Sequence, residues 1–286
     1  MKLLVFGSTG QVARELRRRC PPGVEMLQLG RAEADLADPA ACAAAVARSK
    51  VDLVINAAAY TAVDRAESEP DLAMAVNGAS PTAMAQAAAA LQIPFLHIST
   101  DYVFDGGGTA PWQPDMPTGP LGVYGRTKLS GEQGVSAAGG AHAILRTSWV
   151  FSAHGANFVK TMLRLGRDRP EMRVVMDQIG GPTAAGDIAT TLLQMATRFH
   201  AGEGKSGIYH YAGLPDVSWA DFAREIFRRA GMDVTVTGIH ATDYPTPAKR
   251  PDNSRLDCTT LQGAFGIPRP DWRTALEAVL KELREV

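Results

Sequence analysis

The chain has 286 residues, 45% hydrophobic and 21% charged, enough apolar material for one large core or two modest ones. Its net charge is −1 and its Lys and Arg are spread along the whole length, which excludes the basic patch that nucleic acid or an anionic membrane surface requires. Cys20, Cys42 and Cys258 lie far apart, in neither a zinc-ligand spacing nor a disulfide framework, so they read as reduced structural residues and suggest no metal site.

The first apolar run, residues 3–6, is bounded by Gly7 and reads as a central parallel strand covered on both faces. It is too short for a signal-peptide core, and no stretch reaches the roughly 18 apolar residues of a membrane span, so a cytoplasmic protein is expected. Residues 11–20 then carry a helical mixture. The alternation continues with strands at 24–29, 53–56 and 95–99 and helices at 39–48 and 71–91. Such a rhythm implies right-handed crossovers and an α/β, doubly wound parallel sheet of the Rossmann type. Between Thr100 and Tyr124, Gly106 to Gly108 and Pro111, Pro114, Pro117 and Pro120 mark a long loop over the strand ends. Beyond it, 143–145 and 174–176 read as strands, 158–166, 188–199 and 218–230 as helices, and 245–251 as an ordered loop. From about Asp177 the rhythm loosens. The expected organisation is a dinucleotide-binding domain over 1–176 and a smaller α/β substrate lobe over 177–286, with some elements of the latter returning to the former.

The turn Gly7-Ser8-Thr9-Gly10-Gln11-Val12-Ala13 follows a strand and opens a helix. Gly7 suits the tight turn, Gly10 lets backbone N–H groups approach a pyrophosphate at the helix N-terminus, and small Ala13 lets helix and strand pack closely. At the end of the second strand, where a carboxylate would meet the ribose 2′-hydroxyl of NAD, the chain has Gly30-Arg31, a choice that favours a 2′-phosphate; Arg31 also reads as a solvated surface arginine. Asp35 and Leu36 are placed to meet the adenine. Asn56-Ala57-Ala58-Ala59-Tyr60-Thr61 ends a strand in small residues, where a cofactor must pass close to the backbone; a plain buried strand with Thr61 capping a helix is the alternative.

Thr100, Tyr124 and Lys128 carry the chemistry. Tyr-x-x-x-Lys on a helix puts both side chains on one face, so that an ammonium near the phenol is expected to lower the tyrosine pKa from its usual value of about 10. Such a tyrosine can give a proton to a carbonyl oxygen while hydride reaches the carbon. Thr100, at a strand end, is placed to hydrogen-bond the same oxygen. NADPH or NADH is the expected hydride source.

Beyond the glycine turn and Val-Tyr-Gly-Arg-Thr-Lys at 123–128, narrower phrases run along nearly the whole chain. They are Asn-Ala-Ala-Ala-Tyr-Thr-Ala-Val-Asp at 56–64, Ser-Thr-Asp-Tyr-Val-Phe-Asp at 99–105, Arg-Thr-Ser-Trp-Val-Phe at 146–151, Asp-Gln-Ile-Gly-Gly-Pro-Thr at 177–183 and Arg-Pro-x-Asn-Ser at 250–254. In these the chain resembles the extended short-chain dehydrogenase/reductase family, and within it the members that reduce the C4 keto group of a dTDP-linked 6-deoxy sugar. The resemblance implies that Thr100 and Asp101 approach the sugar, that Tyr124 is the acid, and that Lys128 tunes it and holds the nicotinamide ribose. It implies a sugar contact for Trp149, which otherwise reads as a core aromatic at a strand end. Arg250 suits a diphosphate clamp from the second lobe, or a surface arginine. Ala13 departs from the family's usual third glycine, a change that close packing tolerates. Some relatives bind Mg²⁺ through acidic residues at a dimer contact, and Glu15 occupies one such position, although a surface glutamate is the simpler reading; a homodimer stays open. Two other functions fit the same resemblance: an epimerase of GDP- or UDP-sugars retaining NAD, and a non-catalytic NADP-binding subunit like the regulatory partner of methionine adenosyltransferase.

Overall fold

In the computed structural model, which describes residues 1–284, the apolar runs assemble into one parallel sheet. Its strands are β1 (Lys2–Phe6), β2 (Glu25–Leu29), β3 (Leu53–Asn56), β4 (Phe95–Thr100), β5 (His142–Thr147) and an edge strand at Gly207–His210. The spatial order is Gly207–His210, β5, β4, β3, β1, β2, every pair parallel. The chain leaves β1 for β2 on one side and returns to β3 on the other. The order therefore reverses at β1, and a crevice opens there at the carboxyl ends of the strands.

Both faces of this sheet are covered, which is why its central strands carry the unbroken apolar runs 3–6 and 53–55. Leu3 and Val5 pack with Leu16 of helix α1 (Gln11–Arg18) and with the Ala185–His200 helix. Leu4 and Phe6 face the other way, onto Val46 of helix α2 (Pro39–Arg48) and Met84 of the Ser80–Ala90 helix. Leu3, Leu4, Val5 and Phe6 are fully buried, each contributing roughly 1.5–3 kcal/mol.

A second core gathers Phe151, Val159, Met162, Met172, Phe222, Phe227 and Trp272. Around it the Glu171–Val175 strand pairs in parallel with Thr235–Ile239, and Ile179–Gly180 lies between Val217–Ser218 and Asn253–Ser254. Residues 151–174 contribute to this core, whereas Ala185–His200 and Phe265 belong to the first, so the chain passes between the two more than once.

Three sequence expectations change. The strand expected at 174–176 is Glu171–Val175, outside the central sheet. Gly207–His210, which the sequence did not mark as a strand, forms the sheet edge beside β5. The expected single helix at 71–91 is interrupted: Pro70–Met74 and Ser80–Ala90 are α-helical, but Ala75–Ala79 is a π-turn. Pro81 has no N–H to give the Asn77 carbonyl, which loosens the ladder at that point. Among the described residues no helix is long and apolar enough to cross a membrane.

Candidate active site

Gly7 follows β1 with φ +108°, a backbone conformation that favours glycine, and it lies against the end of β3, where a Cβ would stand 3.4 Å from the Ala57 backbone. Gly10 is the N-cap of α1 and offers no side chain to its free N–H groups; nothing lies within 4 Å of where its Cβ would be. Thr9 and Gly10 are exposed, whereas Val12 and Ala13 are buried beneath them. An uncapped helix N-terminus with no acidic residue in its first turn, open to solvent at the sheet's switch point, fits a dinucleotide diphosphate. The Gln11 side chain is otherwise engaged: its Oε1 accepts from Ser152 Oγ and Asn157 Nδ2, both at 2.9 Å.

Past β2, Arg31 is exposed and pairs with Asp35 at 3.2 Å, while Leu36 is buried. The two polar residues expected to meet the cofactor thus hold each other. The sequence reading missed Glu33, whose carboxylate accepts the Gly30 N–H at 2.9 Å and so stands in this same turn.

After β3, Ala57 to Tyr60 are half-buried. Asn77, delivered by the π-turn, clamps the Tyr60 backbone from both sides, accepting its N–H at 2.8 Å and donating to its carbonyl at 3.0 Å. Asn77 also donates to Thr127 on the Val123–Ala137 helix. Its importance was not visible in sequence, because a π-turn leaves no periodic signature, although such turns are frequent at functional sites. Thr61 is exposed and does not cap the following helix, whose N-cap is Ala62.

Tyr124 and Lys128 stand one turn apart on the Val123–Ala137 helix. Glu67 accepts the Val123 N–H at 2.8 Å, placing a carboxylate at the positive end of that helix. Gly125 lets the helix come close to the turn after β4: a Cβ there would lie 2.2 Å from the Tyr102 carbonyl oxygen. Tyr102 meets the Tyr124 ring edge to face, with centroids 5.4 Å apart. Thr100 and Asp101 are buried at the end of β4, the Thr100 hydroxyl donating to Asp101 Oδ1 at 3.0 Å. Burial pushes the Asp101 carboxyl up to about 6, against the opposing effects of Ser254 and Thr100. Among the described residues, Asp101 Oδ2 is a buried acceptor that meets no hydrogen-bond partner.

The expected electrostatics of the Tyr/Lys pair require correction. Burial raises the Tyr124 phenol to about 12, and the Thr100 hydroxyl only partly opposes it. Lys128, itself buried and lowered to about 8, donates to the Ile98 carbonyl at 2.7 Å and lies 3.2 Å from His97 Nε2. The amine is drawn toward β4, and the phenol stays protonated.

Trp149 adopts φ +50°, a strained conformation for a bulky residue, and stacks on Trp219 with centroids 3.5 Å apart. Trp149 and Ser254 flank Gly180, and Ser254 is the neighbour of Asp101, so this aromatic pair borders the Thr100–Asp101 end of the site. Arg250 forms a two-pronged pair with Asp64 at 3.0 and 2.7 Å, joining the 245–251 loop to the first lobe. The structure therefore brings Thr100, Asp101, Tyr124 and Lys128 together and leaves Arg250 on a partner of its own.

Glu15 lies elsewhere, buried and not on the open surface. Its carboxylate is bonded to Arg19 at 2.9 Å and lies 3.4 Å from His154, and among the described residues no three His, Cys, Asp or Glu gather to hold a metal ion. Residues so placed do not fit a Mg²⁺ site.

Comparison with known proteins shows the family to which the sequence and fold belong. The chain is 46% identical over 278 residues to a Sinorhizobium fredii dTDP-4-dehydrorhamnose reductase, covering 95% of this chain and 94% of that one. It is 40% identical to the Escherichia coli K12 dTDP-4-dehydrorhamnose reductase, over 99% and 98% of the two chains. The structure of a Clostridium acetobutylicum dTDP-4-dehydrorhamnose reductase superposes with a TM-score of 0.93 at 36% identity, covering 99% of this chain and 100% of that one. The Bacillus anthracis dTDP-4-dehydrorhamnose reductase, solved in complex with NADP, gives 0.92 at 31% identity over 98% and 99%. The family profile described as RmlD substrate binding domain matches residues 1–285, and the chain belongs to that family.

Proposed function

We propose that this chain reduces the C4 keto group of dTDP-4-dehydro-L-rhamnose to give dTDP-L-rhamnose, using NADPH or NADH in the cytoplasm. The observation that carries this reading is Tyr124 one turn from Lys128 on one helix, with Thr100 at the end of β4 and the uncapped N-terminus of α1 at the end of β1. When bound, the nicotinamide cofactor supplies the hydride. The N–H groups at the start of α1 would hold its diphosphate, Gly7 and Ala57 would let it lie close to the backbone, and Arg31 would reach the ribose end.

Reduction needs an acid, and a phenol raised to about 12 is protonated throughout the neutral range. Tyr124 Oη gives its proton to the C4 oxygen as charge develops there, and Thr100 Oγ1 donates to the same oxygen. Asp101 and Trp149 border the sugar, with the Asp101 Oδ2 acceptor available to a sugar hydroxyl. Arg250 serves as a diphosphate clamp by sharing its guanidinium with Asp64. A complete set of Thr100, Tyr124 and Lys128 favours an enzyme over a non-catalytic subunit, which has no need of them. The test is a steady-state panel of dTDP-, GDP- and UDP-linked 4-keto sugars with each cofactor. Oxidation of NADPH fastest with the dTDP sugar is expected; no turnover with any of them would overturn the reading.

A further inference from the structure

Glu33 stands where the glycine turn and the end of β2, the two segments that flank a dinucleotide's adenosine ribose, come together. The Gly7 N–H ties them by donating to the Leu29 carbonyl at 2.8 Å. Just past that bond, a Cβ on Gly30 would lie 2.6 Å from Ser8 Oγ and 3.1 Å from Glu33 Oε2. Ser8 belongs to the glycine turn and Glu33 to the turn after β2, so the Glu33 carboxylate lies in the gap between them. It is held there, Oε2 accepting the Gly30 N–H at 2.9 Å. The backbone beneath is fixed as well. The N–H groups of Glu33 and Ala34 both donate to the Gly30 carbonyl, at 3.2 and 3.0 Å, and Ala34 and Leu36 are buried on the α2 side of the sheet.

The charges in this turn do not add up to a phosphate receptor. A free backbone N–H and an arginine at the end of β2 would together receive the doubly charged 2′-phosphate of NADPH. Here the Gly30 N–H is already given to a carboxylate. Arg31 pairs with Asp35 at 3.2 Å, and Asp35 is itself fixed by accepting the Ala37 N–H at 2.9 Å. Residues 30–36 thus set one cation against two carboxylates. The 2′-hydroxyl of NADH meets no such conflict, because it is neutral and can donate to a carboxylate. Arg31 draws the phosphate, and Glu33 opposes it.

We propose that Glu33 is a specificity-determining residue for the cofactor: its carboxylate, held on the Gly30 N–H beside Ser8, limits the preference for NADPH over NADH. This role rests on the reading of the glycine turn as the cofactor's seat.

A residue that only closes the turn could as well be glutamine, whose amide oxygen also accepts the Gly30 N–H, so Glu33→Gln removes the charge and keeps the bond. Titration of nicotinamide fluorescence gives Kd for NADPH and for NADH with wild type and variant, without substrate. The ratio of the NADH Kd to the NADPH Kd should rise about tenfold in Glu33→Gln at low salt, the effect of one unit charge a few ångströms from a doubly charged phosphate at an exposed site. Added salt should shrink that rise by screening it. A rise below about threefold, or one that salt leaves unchanged, overturns the proposal, because a merely structural role moves both cofactors alike and does not respond to screening. Should Glu33→Gln not fold, Glu33→Ala, which also frees the Gly30 N–H, should raise the ratio at least as far, and the same limits apply. Wild type that binds neither cofactor would overturn the dinucleotide reading together with the proposal. Wild type that binds both, with a ratio unmoved by the substitution, would overturn the part of Glu33 alone.

Discussion

Arg146→Met tests how the catalytic helix is anchored. The guanidinium and the Glu132 carboxylate are both 2% exposed and meet through two bonds of 2.9 and 2.6 Å. Arg146 also donates to the Pro114 carbonyl at 3.1 Å and lies 4.9 Å from the Phe104 ring, so one side chain fastens β5 to the Val123–Ala137 helix and to the Pro-rich loop. Methionine fills much of the volume, so the main loss is the partner of a buried carboxylate. Stranding such a charge costs about 3–5 kcal/mol. At about 2–4 °C per kcal/mol for a chain of this size, Tm should fall on the order of 10 °C. Glu132→Leu combined with Arg146→Met removes both charges and should recover most of the loss, giving a coupling of about 2 kcal/mol or more in a double-mutant cycle read by urea unfolding. A loss below about 1 kcal/mol for the single variant, or a double variant no better than the sum of the singles, would refute the reasoning.

Asp101→Asn should show opposite effects on stability and activity. Burial lifts this carboxyl from 3.8 to about 6, so its protonated form favours folding below roughly pH 4, and that contribution is lost as pH rises through 6. Asparagine should therefore stabilise the protein at pH 8, on the order of 3 kcal/mol at 1.36 kcal/mol per unit, with little gain at pH 4, while turnover falls. Equal melting gains at both pH values would contradict this. Gly125→Ala puts a Cβ against the Tyr102 carbonyl oxygen and should cost roughly 1–3 kcal/mol, lowering kcat with it as Tyr124 shifts; calorimetry with steady-state kinetics checks both. Arg31→Ala should weaken NADPH binding by about 1.5–3 kcal/mol and leave NADH binding nearly unchanged, as read by fluorescence titration.

What was legible in the sequence is what is local. The glycine turn, the Tyr-x-x-x-Lys pair and the alternation of apolar runs each lie within a few residues of chain, and the structure places them as that spacing implies. The rest depends on distant partners. Asn77 acts from a π-turn: Pro81 marks an interruption of that helix in sequence, but not which side chain the interruption turns toward the site. His97 and Asn56 look like interior strand positions until β3 and β4 pair and bring Lys128 between them and the solvent. Arg250 meets Asp64 across 186 positions. The proximity of Lys128 in sequence suggests a lowered Tyr124 pKa, whereas burial of the phenol, a property of the assembled fold, decides the opposite direction. The Gly207–His210 strand is four residues with no alternation, and only its place beside β5 makes it part of the sheet.

The central claim is that Tyr124 delivers the proton to a 4-keto nucleotide sugar. The direct measurement is NADPH oxidation by wild type and Tyr124→Phe with dTDP-4-dehydro-L-rhamnose, alongside NADPH binding to each. Wild type should turn over, and the phenylalanine variant should be slower by about 10²–10⁴-fold while binding NADPH as tightly. A variant within a few-fold of the wild-type rate would contradict the account.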